Sequence, residues 1–367
     1  MLILGIETSC DETSAAVVEE TGDGAKPWAI RSNIVASQVQ IHRDWGGVVP
    51  ELASRQHLRD ICGVVERSLA DARATWGDLG AVAVTQGPGL VGSLLVGVSF
   101  AKAAAAATGL PLVAVHHLAG HIESLVLHNG EMPLPAVVLV VSGGHTNLYL
   151  VDQPGHYQLL SRTRDDAAGE AYDKVARLLG LDYPGGPIID RLAPSGNDRA
   201  VDLPTTRLTH RDRNAPELEG DLDFSFSGLK TAVLRHVRTR QEAMRATTEV
   251  AIPDVAQPFR PALSDQETAD ICASFQRVVV KALLERVFRA ARRYQVKSIG
   301  VAGGVSANSR LRAELVAHGE AREIPTFLPS LSLSTDNAAM IAAAGLRKFR
   351  AGITTSFDLN ADPALTL

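Results

Sequence analysis

LILGIETSCDETSAAVVEE (Leu2–Glu20) and PAVVLVVSGGHTNLYLV (Pro135–Val151) open two halves of this chain in the same way. Each is an apolar run, a short polar turn and a second apolar run. Apolar runs of this length, closed by turn residues, read as buried strands joined in a hairpin. Working outward from the first hairpin, Leu2–Thr8 and Ser14–Glu20 are strands and Trp28–Ser37 supplies a third. A helix from Pro50 to about Arg73, a strand Ala81–Thr85, a helix Val91–Ala107, a strand Leu112–Val115 and a helix His116–His128 follow. The second half repeats the order. Strands are expected at Pro135–Val141, Thr146–Val151 and Tyr157–Thr163, then helices at Ala168–Leu179 and Gln266–Tyr294. Strand Ser298–Ala302, helix Asn308–Val316, strand Ile324–Leu328 and helix Asn337–Phe349 complete it. Two successive βββαβα units predict a duplicated α/β fold with a cleft between its halves. The charged and then Pro-rich stretch Arg238–Ser264 reads as an inserted surface loop, and Asp198–Glu219 as loops mixing Arg, Asp and Pro.

Composition fits an enzyme of two ordinary domains: 367 residues, 46% hydrophobic and 21% charged. The net charge of -5 excludes a broadly basic surface, so any nucleic acid must meet a local basic patch or a basic partner. Arg207, Arg211, Arg213 and Lys230 are candidates for such a patch. Cys10, Cys62 and Cys272 are widely spaced and odd in number. They make neither a disulfide frame nor a thiolate metal site, and a reducing cytoplasm is expected. Met1–Gly5 lacks a basic stretch and is short for a signal peptide. Leu94–Val115 is apolar but carries Lys102 and the Gly109-Leu110-Pro111 break, so no membrane association is expected.

Four short segments carry chemistry. His117-Leu118-Ala119-Gly120-His121 places two imidazoles at i and i+4, on one helix face and close enough for one metal. Leu118 stands where a zincin has its glutamate. A third ligand must come from elsewhere, and Asp336 in Ser334-Thr335-Asp336-Asn337 is the candidate; before an Ala-rich helix it also reads as an N-cap. Two histidines and a carboxylate favour Fe(II) or Zn(II). Ser142-Gly143-Gly144 lets backbone N–H groups approach an anion, or is a tight hairpin turn. Gly303-Gly304 joins a strand to a helix, where open α/β folds bind ligands, or is a turn needing positive φ. Gly87-Pro88-Gly89-Leu90-Val91-Gly92 matches a dinucleotide fingerprint, yet Ser93 to Ile122 holds no acid for a ribose, so NAD binding is rejected.

Taken with Gly5–Thr13, Asp166–Lys174, Asp182–Pro187 and Phe224–Lys230, these segments closely resemble the bacterial TsaD/Gcp family, once described as O-sialoglycoprotein endopeptidases. The matching pieces run from near residue 3 to about 350. The Arg238–Ser264 stretch is longer than the resemblance leads one to expect. The resemblance implies an actin-like ATPase (sugar kinase/Hsp70/actin) fold of two duplicated RNase H-like βββαβα domains. These would be residues 1–133 and 134–336, with 337–367 packing back on the first. It implies transfer of threonylcarbamoyl from threonylcarbamoyl-AMP to N6 of the adenosine 3′ of the anticodon in tRNAs reading codons that begin with A. It maps metal ligands onto His117, His121 and Asp336. Ligand-binding positions map onto Val140, Val141, Ser142, Gly143, Gly144, Asp173, Gly186, Asp190 and Asn308. It also implies a TsaB-like paralogous subunit and a TsaE-like P-loop ATPase as partners. The chemistry adds Asp11 or Glu12 as a group to orient or deprotonate the attacking amine, against the commoner case of an exposed turn carboxylate. Competing readings are a metalloprotease and an actin-fold small-molecule kinase.

Overall fold

The computed structural model describes residues 1–205, 208, 218, 220–247 and 263–367. The first half builds strands β1 (Leu2–Glu7), β2 (Glu12–Glu20), β3 (Trp28–Ser37), β4 (Leu79–Gly87) and β5 (Leu112–His116). They form one sheet in the order β3-β2-β1-β4-β5. The second half builds β6 (Ala136–Val141), β7 (Thr146–Gln153), β8 (His156–Arg162), β9 (Ser298–Ala302) and the short β10 (Thr326–Phe327), in the order β10-β9-β6-β7-β8. The two orders are the same, strand for strand. Within each sheet the first three strands are antiparallel neighbours joined by short connections, and the last two pair in parallel. Parallel pairs need long crossovers, which helices provide.

The helices are α1 (Val39–Arg43), α2 (Pro50–Ala72), α3 (Val91–Thr108), α4 (His117–Asn129), α5 (Ala168–Leu178) and α6 (Gly185–Leu192). They continue with α7 (Ser227–Thr247), α8 (Asp265–Arg293), α9 (Ser309–Glu320), α10 (Leu331–Ser334) and α11 (Ala338–Arg350). One face of the first sheet packs on α2 and α3. Helix α3 is the one described helix long and apolar enough to cross a membrane. Here Leu94, Val96, Val98, Ala101 and Ala105 are buried in the fold.

The other face of the first sheet is covered by α11, from the far end of the chain. The contact is made of small residues. A Cβ on Gly5 would lie 2.4 Å from the carbonyl oxygen of Ala338, and one on Gly345 would lie 2.4 Å from Cβ of Ala83. Helix α4 lies between the halves. Its Leu118, Ile122 and Leu125 pack on Val138, Val140 and Tyr149 of the second sheet, while Val126 joins the α11 core. Every residue from His117 to Val126 is buried.

Several expectations need correction. Arg238–Ser264 is not simply an inserted loop. Its first ten residues, 238–247, continue helix α7, and Ser264 caps α8 in a box with Glu267. Residues 248–262 lie outside the described residues, as do Arg207, Arg211 and Arg213. Helix α6, Gly185–Leu192, is an element that the sequence reading does not include. Asn337, not Asp336, is the N-cap of α11, accepting from the Met340 N–H at 3.2 Å. The Gly87–Gly92 motif is filled by the chain's own C-terminal segment. A Cβ on Gly87 would sit 1.8 Å from the Asp362 carbonyl oxygen, and one on Gly89 2.5 Å from that of Ser9.

Because Gly5 is pressed against helix backbone, Gly5→Ala is expected to push α11 off the sheet and cost about 1–3 kcal/mol, as overpacking does. Denaturant unfolding measures this; an unchanged midpoint would show that the contact has slack.

Candidate metal centre and ligand cleft

Strand β5 leads directly into α4, whose first turn is capped by His116, its Nδ1 accepting from the Leu118 N–H at 3.1 Å. Four residues of helix then bring the rings of His117 and His121 to a centroid distance of 4.7 Å. Because Asn337 takes the cap of α11, Asp336 is left free to face them. Its Oδ1 lies 3.2 Å from His121 Nε2 and 3.6 Å from His117 Nε2. One ligand atom from each of the three residues lies within 4.8 Å of the others.

The surroundings fix how these groups are charged. Glu7, at the end of β1, is fully buried. It accepts from Thr85 Oγ1 at 2.6 Å and from the Ser9 N–H, and its Oε2 lies 3.1 Å from His117 Nδ1. His117 therefore carries a proton on Nδ1, and its Nε2 faces the Asp336 carboxylate. Burial disfavours charge on His117, but Asp336 and Glu7 outweigh it and hold its pKa up to about 9. Burial likewise opposes charge on Asp336, and the imidazoles of His117 and His121 hold its carboxyl below the usual range. Neither ring nitrogen of His121 has a hydrogen-bond partner, although the ring is fully buried. The 3.2 Å approach of Asp336 is close but not in hydrogen-bonding geometry. A buried polar atom without a partner costs about 1–3 kcal/mol, and a metal ligand has this environment before the metal arrives. The carboxylate behind His117 is the usual support for a ligating imidazole. The donor set fits one divalent cation.

The Ser142-Gly143-Gly144 turn joins β6 to β7, held by the Ser142 N–H to the His145 carbonyl at 2.8 Å. A Cβ at Gly143 or Gly144 would meet nothing within 4 Å, so packing does not demand glycine there. Both are exposed. Val140 and Val141, which lead into the turn, are fully buried strand residues. The imidazole of His145 is pushed down to about 4, first by burial and then by His117 and His121. On the adjacent strand, Gly303 adopts φ +91°, and a Cβ there would be 2.5 Å from the Val141 carbonyl oxygen. Only glycine fits. Gly304 faces open space.

Asp173 of α5 accepts from the Gly185 N–H at 2.8 Å and so caps α6 from outside it; Gly186 has open space where a Cβ would be. Asp190 accepts from Ser309 Oγ at 2.8 Å, Asn308 Nδ2 at 3.0 Å and Gln276 Nε2 at 3.1 Å. Asn308 in turn caps α9, accepting from the Leu311 N–H at 3.0 Å. These residues form one network tying α6 to α8 and α9.

Asp11 and Glu12 are not exposed turn carboxylates. Asp11 is 7% exposed. The Glu12 carboxyl is raised well above its usual range, by burial first and then by Asp11. Their hairpin is clamped by a residue the sequence did not single out. Buried His57 of α2 donates from Nε2 to the Cys10 carbonyl at 3.0 Å and meets Thr13 Oγ1 through Nδ1 at 2.8 Å. Glu7 was likewise missed as a support for His117, although a carboxylate closing an apolar strand was a visible signal. Tyr183, also missed, has its hydroxyl pKa raised by burial and then by Asp11 and Asp173. Tyr183 and Asp173 line one recess together.

Comparison with known proteins gives this arrangement a family. The chain is 47% identical over 384 residues to the tRNA N6-adenosine threonylcarbamoyltransferase of Koribacter versatilis, covering 100% of this chain and 99% of the relative. It is 50% identical over 366 residues to the enzyme of the same name from Anaeromyxobacter dehalogenans, with the same coverage. Among solved structures, full-length HypF in its phosphate- and nucleotide-bound form matches 95% of this chain and 55% of its own, with TM-score 0.55 and 12% identity. That likeness speaks to fold alone. The family model described as "TsaD: tRNA N6-adenosine threonylcarbamoyltransferase" matches residues 29–343, and the chain belongs to this family.

Proposed function

We propose that this chain transfers the threonylcarbamoyl group of threonylcarbamoyl-AMP to N6 of the adenosine 3′ of the anticodon, in tRNAs reading codons that begin with A. The products are N6-threonylcarbamoyladenosine and AMP. The observation that carries the reading is whole-length likeness, at 47% and 50% identity, to transferases of that name. The adenine N6 amine is a poor nucleophile because its lone pair is shared with the ring. The site must therefore hold an activated carbonyl, stabilise the leaving phosphate and take a proton from nitrogen as the C–N bond forms.

His117, His121 and Asp336 would hold one divalent cation, Fe(II) or Zn(II), which supplies Lewis acidity for a carbonyl or phosphoryl oxygen. Gly143, Gly144 and Gly304, with open space beside them, let a phosphate come close to backbone N–H groups. Val140 and Val141 set the height of that turn. Asp173, Gly186, Asp190 and Asn308 shape the far end of the ligand pocket. Half-buried Glu12 has a carboxyl that binds a proton more readily than usual, through desolvation and the neighbouring Asp11, which suits it to accept the amine proton. His57 holds the hairpin that presents both acids.

The substrate is tRNA, and a cytoplasmic setting fits three free cysteines. A TsaB-like paralogue and a TsaE-like P-loop ATPase would complete the machinery. Exposed Leu58 of α2 and Val91 and Leu95 of α3 flank the close Ser54–Gly92 contact and give the first half an apolar face for a protein partner.

The double variant His117→Ala/His121→Ala, and Asp336→Ala alone, are expected to lose the metal and the activity while keeping the secondary structure. Elemental analysis beside circular dichroism reads this, and full metal occupancy in the double variant refutes the ligand set. For the transfer itself, the chain with its accessory proteins, threonylcarbamoyl-AMP and an anticodon stem-loop RNA is expected to yield modified adenosine by mass spectrometry. Glu12→Gln is expected to lower kcat by roughly 10²-fold or more, the usual contribution of a general base. A kcat equal to wild type would remove Glu12 from proton transfer.

A further inference from the structure

The connection after α1 carries Trp45, a large indole left 64% exposed. The loop that presents it is not loose. Trp45 N–H donates to the His42 carbonyl at 3.1 Å, Gly46 N–H to that of Arg43 at 3.0 Å, and Val49 N–H to His42 Nδ1 at 3.3 Å. His42 itself is fully buried. Gly46 turns the chain at φ +65°. Arg177 of α5, in the second half of the fold, donates to the Gly46 carbonyl. The indole therefore stands on a braced turn at the seam between the halves, beside a recess of about 270 Å³ whose lining includes Trp45 and Tyr183, the guanidiniums of Arg43 and Arg177 and the carboxylates of Asp44, Asp173 and Asp182. Arg43 and Arg177 are exposed. Gln38, just before α1, donates its N–H to the Asp11 carbonyl at 3.0 Å, which ties this segment to the hairpin of Asp11 and Glu12.

We infer that Trp45 is a stacking platform for an unpaired nucleobase beside the adenosine being modified, with Arg43 and Arg177 meeting the flanking phosphates. This deepens the reading under Proposed function and rests on it. An adenosine that reacts deep in a cleft must leave its stack, and the base next to it then exposes a face that an aromatic ring can cover. An indole offers that face to any base, while the two guanidiniums supply charge without reading sequence. The two exposed guanidiniums beside the indole suit a nucleic-acid strand better than an apolar protein surface does, since Ile41 and Trp45 are the exposed large apolar residues between positions 36 and 57.

The test compares wild type, Trp45→Ala and Trp45→Phe, each with the accessory proteins that wild type needs for turnover. An anticodon stem-loop RNA is the varied substrate. Trp45→Ala is expected to raise KM for the RNA roughly 5- to 150-fold, the range of one lost base–aromatic stack. It should leave kcat and KM for threonylcarbamoyl-AMP unchanged, and Trp45→Phe should recover most of the loss. Binding of fluorescently labelled stem-loop, read by anisotropy, should weaken in parallel, while binding of a duplex of equal charge should not. An unchanged RNA KM and affinity in Trp45→Ala overturns the platform. So does a defect that vanishes at saturating accessory protein, which would make the indole a protein contact. A wild-type chain that binds the stem-loop but never modifies it refutes the transferase reading instead, leaving the anisotropy comparison to judge Trp45.

Discussion

Helix α4 has no free face from His117 to Val126, and that constraint organises the site. It is wedged between the two sheets, so each polar group it carries must find its partner inside the protein. Glu123, buried, is met by Arg347 at 2.6 Å and 2.9 Å, by Trp28 Nε1 at 3.3 Å and by Tyr157 Oη at 3.2 Å. His117 is met by Glu7, but His121 finds no hydrogen-bond partner. Two of the partners of α4 come from the two ends of α11, with Asp336 just before its start and Arg347 in its last turn. The last helix in the chain is thereby fastened to the central one at two points. Removing one member of such a buried charged pair is expected to cost about 3–5 kcal/mol, so the fastening is stiff.

That stiffness is what a reaction of this kind needs. Two carboxylates and two imidazoles crowd one pocket, and a divalent cation held there would bind together residues more than two hundred positions apart in sequence. Around it, Gly5 and Gly345 let α11 lie against the sheet, while Gly143, Gly144 and Gly304 leave space for a ligand. Glycine thus serves two opposite ends here, tight packing on one side of the site and openness on the other.

Much of this was legible in the sequence, for identifiable reasons. The hairpins were readable because buried strands are apolar without interruption. The pair His117 and His121 was readable because helical period puts i and i+4 on one face. What was hidden depended on distant partners. Helix α6 has a Gly-Gly-Pro start that reads as a turn, since its cap is Asp173, twelve residues upstream. The end of α7 is charged on its surface and merges into a Pro-rich stretch, which blurred its boundary. Asp336 and Asn337 are adjacent possible caps, and which one faces the metal depends on how α11 seats against β1. Glu7 and His57 act through residues 110 and 44–47 positions away, a relation no local pattern records.

The central claim is that this pocket serves the modification of adenosine next to the anticodon. The most direct measurement is nucleoside analysis of total tRNA from cells depleted of the chain and resupplied with wild type or Asp336→Ala. The account predicts that N6-threonylcarbamoyladenosine disappears on depletion, returns with wild type and stays absent with Asp336→Ala, while other modified nucleosides are unaffected. Undiminished N6-threonylcarbamoyladenosine in the depleted cells would contradict it.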